Sequence, residues 1–292
     1  MKPARIVHPA EFVAADISGL RNKNVPMLID LVLGLIVGVI LALTGAGGGI
    51  LAVPLLVFGA QLGMAQAGPI GLLAVGMAAA LGAVLGLRGG IVRYRASLLI
   101  AVAGMLFSPV GLWLAHRIDN RWLSVLFAAV LLFVAQKTFR QATLAHRSQE
   151  PVADASQPCV RNGGTGRFIW TARCARSLAL SGTIAGLLSG LLGVGGGFVM
   201  VPALRRYTDL DMRSTVATSL AVIALVSVTG VLSSALAGAM NWAIGIPFSA
   251  GALAGMLAGR MVASRLAGPH LQIGFASVSA LVAVGMILKA LF

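Results

Sequence analysis

Acidic side chains are scarce in this chain: 8 of its 292 residues are Asp or Glu, against 22 Lys or Arg. Charged residues of both signs make up 10% of the sequence, whereas soluble domains carry about 25%. Apolar residues account for 58%, and the mean hydropathy is +0.95. Because a soluble fold needs charged and polar groups to cover its exterior, this composition excludes a soluble enzyme. The sequence therefore predicts an integral membrane protein that crosses the bilayer several times.

Groups that carry catalysis or bind metal ions are also rare. Asp30 is the only acidic residue associated with an apolar segment. The histidines lie at segment edges or in loops, at His8, His116, His146 and His270. Cys159 and Cys174 do not form a CxxC pair, and we expect them to be reduced, unpaired thiols in the cytosol. These absences predict a protein that is not an enzyme and has no catalytic residues, cofactor or metal site.

The excess of basic residues gives a formal net charge of +14, which in a soluble protein would suggest nucleic acid as a partner. Here Lys and Arg lie between apolar segments or before the first one, as in the cytoplasmic loops of membrane proteins. We therefore expect a lipid bilayer, and no nucleic acid, around this chain. The first 26 residues lack the long apolar core of a cleavable signal peptide.

Eight apolar segments approach the roughly 20 residues that a membrane-spanning helix needs. They are 27–46, 68–87, 96–115, 122–141, 177–193, 214–236, 242–262 and 270–291. A polar linker, 142–176, separates the fourth segment from the fifth, and its basic residues predict a cytoplasmic position. The predicted organisation is a tail (1–26), a first transmembrane repeat (27–141), the linker, and a second repeat (177–292).

The two halves match each other at a single ungapped offset of 148 residues. At this offset Gly34 falls on Gly182, and Pro54 falls on Pro202. The matches extend across four segments and predict a duplicated bundle, which in transporters places the binding site at the repeat interface. The halves are parallel if the chain crosses once at each first segment, and inverted if it turns back there. Both arrangements place 15 Lys and Arg on the linker side and 7 on the other, so charge does not decide between them.

Each first segment of a half ends in a run of glycines. The first glycine run is Gly45, Gly47, Gly48 and Gly49, and the second is Gly193, Gly195, Gly196 and Gly197. Glycine costs a helix about 1 kcal/mol relative to alanine, and the prolines that follow donate no helical hydrogen bond. We therefore predict two broken helices that face each other near the membrane midplane around a shared cavity. Freed backbone N–H groups and the positive end of the next helix favour an anion there.

The chain resembles the TauE/SafE sulfite exporter family, also called the toluene sulfonate uptake permease family. The resemblance rests on the duplicated motif G-x-G-G-G-x-x-x-V-P, the four apolar segments in each half and the polar central loop. The resemblance covers about residues 30–292. It implies secondary transport of sulfite, a sulfonate or a sulfoacetate-like anion across the bacterial inner membrane. Family members often carry a Thr-Ser pair in the next helix, which Thr218 and Ser219 match. The first half has Ile70 and Gly71 at the aligned positions.

The sequence thus predicts an all-α membrane bundle of two four-segment repeats that transports a small anionic substrate. Most hydroxyls inside the segments are expected to bond to their own helix, with Thr44 as the favoured exception. The predicted substrate-binding residues are Thr44, Gly45, Gly47, Gly48, Gly49, Pro54, Gly193, Gly195, Gly196, Gly197, Pro202, Thr218 and Ser219. A passive anion channel and a non-transporting membrane scaffold or assembly protein are the alternatives. The sequence leaves open whether identical chains assemble into a homo-oligomer.

Overall fold

The computed structural model describes residues 9–45, 47–115, 117–147, 159, 171–266 and 269–291, which form ten helices and their connections. The helices are α1 (Pro9–Thr44), α2 (Gly47–Gly59), α3 (Met64–Arg88), α4 (Tyr94–Ala115), α5 (Asn120–Arg147), α6 (Ala172–Leu192), α7 (Gly197–Tyr207), α8 (Met212–Leu236), α9 (Trp242–Leu266) and α10 (Pro269–Leu291). Within these ranges the only pairing of strand type is an isolated bridge between Cys159 and Thr208. Helix α1 begins inside the stretch predicted as a tail.

Seven of the described helices are long and apolar enough to cross a membrane, namely α1, α3, α4, α5, α6, α8 and α9. In α10 the described side chains form a shorter apolar stretch, Ile273–Leu288. Each of the eight predicted segments coincides with one of these helices. Large apolar side chains also face outward, such as Leu236 and Leu281, which are 82% and 75% exposed. A bilayer would cover them, and the prediction of an all-α membrane protein is confirmed.

The remaining two helices, α2 and α7, are short and follow the glycine runs, so each half has five helices. Helix α2 folds back along α1, because Gly48 lies against Leu41 and Gly59 lies against Leu33. Helix α7 reverses direction in the same way after α6, and Gly196 lies against Ala185. The chain therefore turns back at both glycine runs.

Helices α3 and α8 pack side by side in opposite directions. Gly76 lies against Ser227, Gly82 against Leu220 and Gly86 against Ala217, so residue numbers rise along α3 as they fall along α8. Since α3 and α8 hold the same place in the order of their halves, the two halves run in opposite directions. Of the two arrangements that charge left open, the structure has the inverted one.

The duplication of the two halves stays a prediction, and the helix bounds support it. Helix α3 (Met64–Arg88) and helix α8 (Met212–Leu236) differ by 148 residues at both ends. Left-handed glycines also recur at this offset, at Gly45 and Gly193 and again at Gly90 and Gly238.

Glycines bring helices of different halves into backbone contact. A Cβ atom on Gly186 of α6 would overlap the backbone of Gly104 on α4, and one on Gly255 of α9 would overlap the carbonyl of Leu35 on α1. In a bilayer such close approach is stabilised by van der Waals packing, because apolar side chains gain little by leaving lipid. The first helix of each half, α1 or α6, therefore packs against a helix of the other half.

Cys159 and Cys174 form a disulfide with their Cα atoms 5.0 Å apart, so the prediction of reduced, unpaired thiols is wrong. The backbone N–H of Cys159 donates to the carbonyl of Tyr207, at the end of α7, with an N···O distance of 3.1 Å. Cys174 lies in the first turn of α6. Because α7 folds back along α6, the end of α7 lies beside the start of α6, and the two cysteines meet there.

Candidate functional site

Both glycine runs interrupt a helix, as predicted. Helix α1 ends at Thr44, and Gly45 adopts a left-handed backbone conformation with φ of +75° before α2 begins. Between α6 and α7 the left-handed conformation occurs at Gly193, Gly195 and Gly196, with φ of +71°, +72° and +66°. A side chain in this conformation costs roughly 1–2 kcal/mol, so glycine is the residue that lets the chain turn at these positions.

The two glycine runs meet beside α3 and α8. A Cβ atom on Gly49 would lie 2.6 Å from the carbonyl oxygen of Val194, within the second interruption. It would also lie 3.3 Å from Val75, and a Cβ atom on Gly195 would lie 3.5 Å from the same side chain. Val75 is next to Gly76, the central residue of α3. The interruptions therefore contact each other halfway along α3.

A small cavity lies next to this contact. It has a volume of about 20 Å³ and is lined by Gly68 and Leu72 of α3, Leu112 of α4 and the segment 190–193. This volume accommodates about one water molecule. The glycine runs are thus packed closely in this conformation, and the cavity extends from Gly193 toward the start of α3.

The prolines of the two motifs lie inside the short helices that follow the interruptions. Pro54 is buried in α2, and Pro202 is half-buried in α7. A proline nitrogen carries no hydrogen, so Pro54 cannot donate to the carbonyl of Ile50, one turn earlier. Pro202 likewise cannot donate to Phe198. Both helices continue through their prolines, and the carbonyls that lose a donor, those of Ile50 and Phe198, lie in the first turns after the glycine runs.

The Thr-Ser pair lies beside the first glycine run. The Ser219 hydroxyl lies 3.3 Å from the carbonyl oxygen of Gly45 and donates to Val216 in its own helix at 2.8 Å. The Thr218 hydroxyl accepts a hydrogen bond from the backbone N–H of Arg93 at 3.2 Å, which ties the connection between α3 and α4 to α8. The pair is therefore close to Gly45, and part of its hydrogen-bonding capacity is used within the protein.

Thr44 is not the exception expected among the hydroxyls of the spans. Its hydroxyl donates to the carbonyl of Ile40, one turn earlier in α1, at 2.7 Å. Bonds of this local kind are also made by Ser181, Thr183, Thr229 and Ser234. The exceptions are buried serine hydroxyls without a hydrogen-bond partner, on Ser108, Ser189, Ser227, Ser249 and Ser279. Sequence reasoning missed them because serines with and without a local bond look alike in the sequence.

The atoms closest to the glycine runs carry no formal charge. A Cβ atom placed on Gly45, Gly49, Gly193 or Gly195 would meet backbone atoms, apolar side chains and the Ser227 hydroxyl. Beyond them, Arg93 lies next to Thr218, and its buried Nε atom has no hydrogen-bond partner. In the part of the chain that the structure describes, no group of three or more His, Cys, Asp or Glu could hold a metal ion. The donors near the runs are therefore backbone N–H groups and hydroxyls. Such neutral donors can bind an anion by hydrogen bonding.

A sequence model of the family described as sulfite exporter TauE/SafE matches residues 31–286 of this chain. The chain is 27% identical to the "Probable membrane transporter protein YunE" of Bacillus subtilis over 237 residues, which cover 77% of this chain and 84% of the relative. It is 28% identical to a "Probable membrane transporter protein" of Xylella fastidiosa over 249 residues, 84% of this chain and 88% of the relative. A "Probable membrane transporter protein MJ0441" of Methanocaldococcus jannaschii is 29% identical over 214 residues, 71% of each chain. No solved structure matches the chain significantly.

Proposed function

This chain belongs to the sulfite exporter TauE/SafE family, and on that basis we propose that it is a secondary transporter of a small sulfur-containing anion in the bacterial inner membrane. Its similarity to probable membrane transporter proteins supports the transport function. The sequence shows no ATP-binding loop, so we assign the driving force to ion or substrate gradients. The anion is a sulfite, a sulfonate or a sulfoacetate-like compound.

The contact between the two glycine runs is the observation that supports this proposal most directly. Helices α2 and α7 both begin within the runs, so their first N–H groups lie there, although in α7 that of Val199 already donates to the carbonyl of Gly196. These groups and the positive ends of the helix dipoles favour an anion. Hydrogen bonds to a charged partner contribute about 1.5–3 kcal/mol each. Three or four of them would offset much of the dehydration of a sulfonate.

The neutral surroundings of the runs favour an anion with a single negative charge. The cost of moving an ion out of water rises with the square of its charge, and no charged atom is among the closest neighbours of the glycines. Hydrogensulfite and simple sulfonates such as toluenesulfonate carry one negative charge, whereas sulfate and ionised sulfoacetate carry two. We therefore propose that the transporter prefers simple sulfonates and hydrogensulfite to sulfate.

A carrier agrees better with this conformation than an open channel does. The carbonyl of Val194 would lie 2.6 Å from a Cβ atom on Gly49, so the two glycine runs are packed closely at this point. A carrier must close its site on one side before it opens the other. The buried hydroxyls without partners also argue against a scaffold, because a protein with no polar ligand gains nothing from them.

Flux measurements in proteoliposomes test the proposal. Purified protein is reconstituted, and uptake of labelled sulfite, sulfoacetate, toluenesulfonate and sulfate is compared with uptake into protein-free liposomes. We expect saturable uptake of at least one sulfonate or of sulfite, competition among these anions, and little uptake of sulfate. Uptake that never saturates would indicate a channel. Transport of a metal cation or an amine, without any response to sulfite or a sulfonate, would overturn the substrate class.

A further inference from the structure

The hydroxyl of Ser227 lies where the two glycine runs meet. Its side chain is 1% exposed, and its oxygen has no hydrogen-bond partner. A Cβ atom on Gly195 would lie 3.4 Å from this oxygen, and one on Gly76 would lie 3.2 Å from it. A buried hydroxyl without a partner costs about 1–3 kcal/mol, and folded proteins satisfy the large majority of such groups. An unsatisfied hydroxyl against the second glycine run therefore indicates a ligand-binding position.

Two further unpartnered hydroxyls lie on the helices that surround the second run. Ser108 of α4 is fully buried, and its oxygen would lie 3.6 Å from a Cβ atom on Gly230, three residues after Ser227 on α8. Ser189 of α6 is also fully buried, and its carbonyl accepts the N–H of Gly193, the first left-handed glycine of the run. The three serines thus lie on α4, α6 and α8, which pack against one another, and of the three hydroxyls that of Ser227 lies against the glycine run.

The first glycine run has no such set. At the offset of 148 residues, the positions that correspond to Ser227, Ser189 and Ser108 hold Ala79, Leu41 and Met256. All three of these residues are buried and apolar. The set of buried hydroxyls without a partner is therefore one-sided, although the turns of the two halves are similar.

We propose that Ser227 donates a hydrogen bond to the oxyanion of the transported substrate, and that Ser189 and Ser108 extend this donor set along the second glycine run only. The proposal rests on the transport of an oxyanion proposed above and assigns specific side chains to its binding. The second run then holds the anion, and the first run, whose neighbouring hydroxyls on Thr218 and Ser219 already make hydrogen bonds within the protein, closes over it. A sulfonate suits this set, because its negative charge is spread over three oxygens that can each accept a hydrogen bond.

Helix α8 supplies a matched pair of variants for the test. Ser227→Ala removes the unpartnered hydroxyl, and the control Ser234→Ala removes a hydroxyl that donates to the carbonyl of Gly230 at 2.8 Å. Ser234 is 0% exposed, so both changes delete one buried hydroxyl from the same helix. We expect Ser227→Ala to raise the half-saturating anion concentration about tenfold, which corresponds to about 1.4 kcal/mol. Ser234→Ala should change it less than twofold.

A second experiment measures anion binding without measuring transport. Thermal unfolding of the detergent-solubilised protein is followed with and without the transported anion. A bound anion raises the unfolding temperature by mass action. We expect Ser227→Ala to unfold at or above the wild-type temperature without anion, since the change removes a buried hydroxyl that has no protein partner, and to lose most of the rise that the anion produces.

The outcomes separate this proposal from the proposed function. If the wild type transports a sulfonate and both variants keep its affinity, Ser227 does not bind the anion, and the transport function stands. If Ser227→Ala fails to fold, its hydroxyl has a structural role, and the proposal is wrong. If the wild type transports no oxyanion, the proposed function fails, and the donor set fails with it. The same comparison is made on α6 between Ser189→Ala and the control Ser181→Ala. Ser181 serves as the control because its hydroxyl donates to the carbonyl of Ser177 at 2.7 Å.

Discussion

Replacing Gly193 by alanine tests the geometry of the second glycine run. Gly193 has φ of +71°, and a Cβ atom on it would overlap the backbone of Gly68 on α3. Gly238 is the matched control, since it has φ of +67° and no atom lies within 4 Å of its Cβ position. Both substitutions place alanine in the left-handed conformation, and only Gly193→Ala also meets another backbone.

The expected magnitudes follow from these two contributions. The left-handed conformation costs alanine roughly 1–2 kcal/mol, and the reduced freedom of the unfolded chain offsets about 0.4–1 kcal/mol of this. Gly238→Ala should therefore destabilise the protein by about 1 kcal/mol or less. Overpacking adds about 1–3 kcal/mol. In Gly193→Ala this second cost applies in full, because the backbone of Gly68 cannot rotate away as a side chain could.

The difference in the free energy of unfolding between the two variants is measured in mixed micelles. Circular dichroism follows the helical content as the fraction of ionic detergent rises. Gly193→Ala should lose about 1–3 kcal/mol more than Gly238→Ala. Gly68→Ala provides a second control from the other side of the contact, because its Cβ atom would lie 3.5 Å from Gly193. That distance is an ordinary contact, and Gly68→Ala should be nearly neutral. Equal stabilities of the Gly193 and Gly238 variants would refute the close approach of the second run to α3.

Four other outcomes can be checked. Gly186→Ala should lower the thermal unfolding temperature because its Cβ atom would overlap the backbone of α4, whereas Gly274→Ala, with no atom within 4 Å, should not. Thr218→Val should raise the half-saturating anion concentration about tenfold if this hydroxyl belongs to the site, and an unchanged value removes it. Flux at constant total sulfite should rise as the pH falls, because protonation converts sulfite to hydrogensulfite, whereas sulfonate flux should stay constant. Finally, the excess of basic residues predicts a cytoplasmic linker. After reduction of the disulfide, Cys159 should therefore not react with an impermeant thiol reagent that is added outside intact cells. Labelling from outside would place the linker in the oxidising compartment where disulfides are typical.

Much of the fold could be predicted from local features of the sequence. Apolar segments identify membrane-spanning helices because a helix needs a minimum length to cross lipid. Consecutive glycines next to Thr44 and Leu192 predict helix ends, because glycine favours the left-handed turns found at Gly45 and Gly193. The sequence indicates a further helix after each of these turns without giving its bounds, since 13 and 11 residues are too few to identify a spanning helix.

Features that depend on contacts between distant residues could not be predicted. The direction of the halves stayed open because both arrangements give the same distribution of charge, and packing of α3 against α8 decides it. The disulfide depends on the position of Cys159 beside Tyr207, which the separation of 15 residues from Cys174 does not indicate. Likewise, the sequence does not distinguish the hydroxyl of Ser227 from that of Ser234. Only the folded structure shows that the Ser227 hydroxyl has no hydrogen-bond partner.

The pairing of helices from opposite halves has a consequence for the order of biosynthesis. Gly34 of α1 lies against Phe248 of α9, a separation of 214 residues (248 − 34). Ribosomes add about 5–20 residues per second, so α1 waits in the membrane for roughly 10–40 s before its partner is made. In both cross-half pairs the earlier helix is the more apolar one, α1 compared with α9 and α4 compared with α6. The helices made first can therefore reside in lipid alone, and each then serves as a template onto which a less apolar helix inserts.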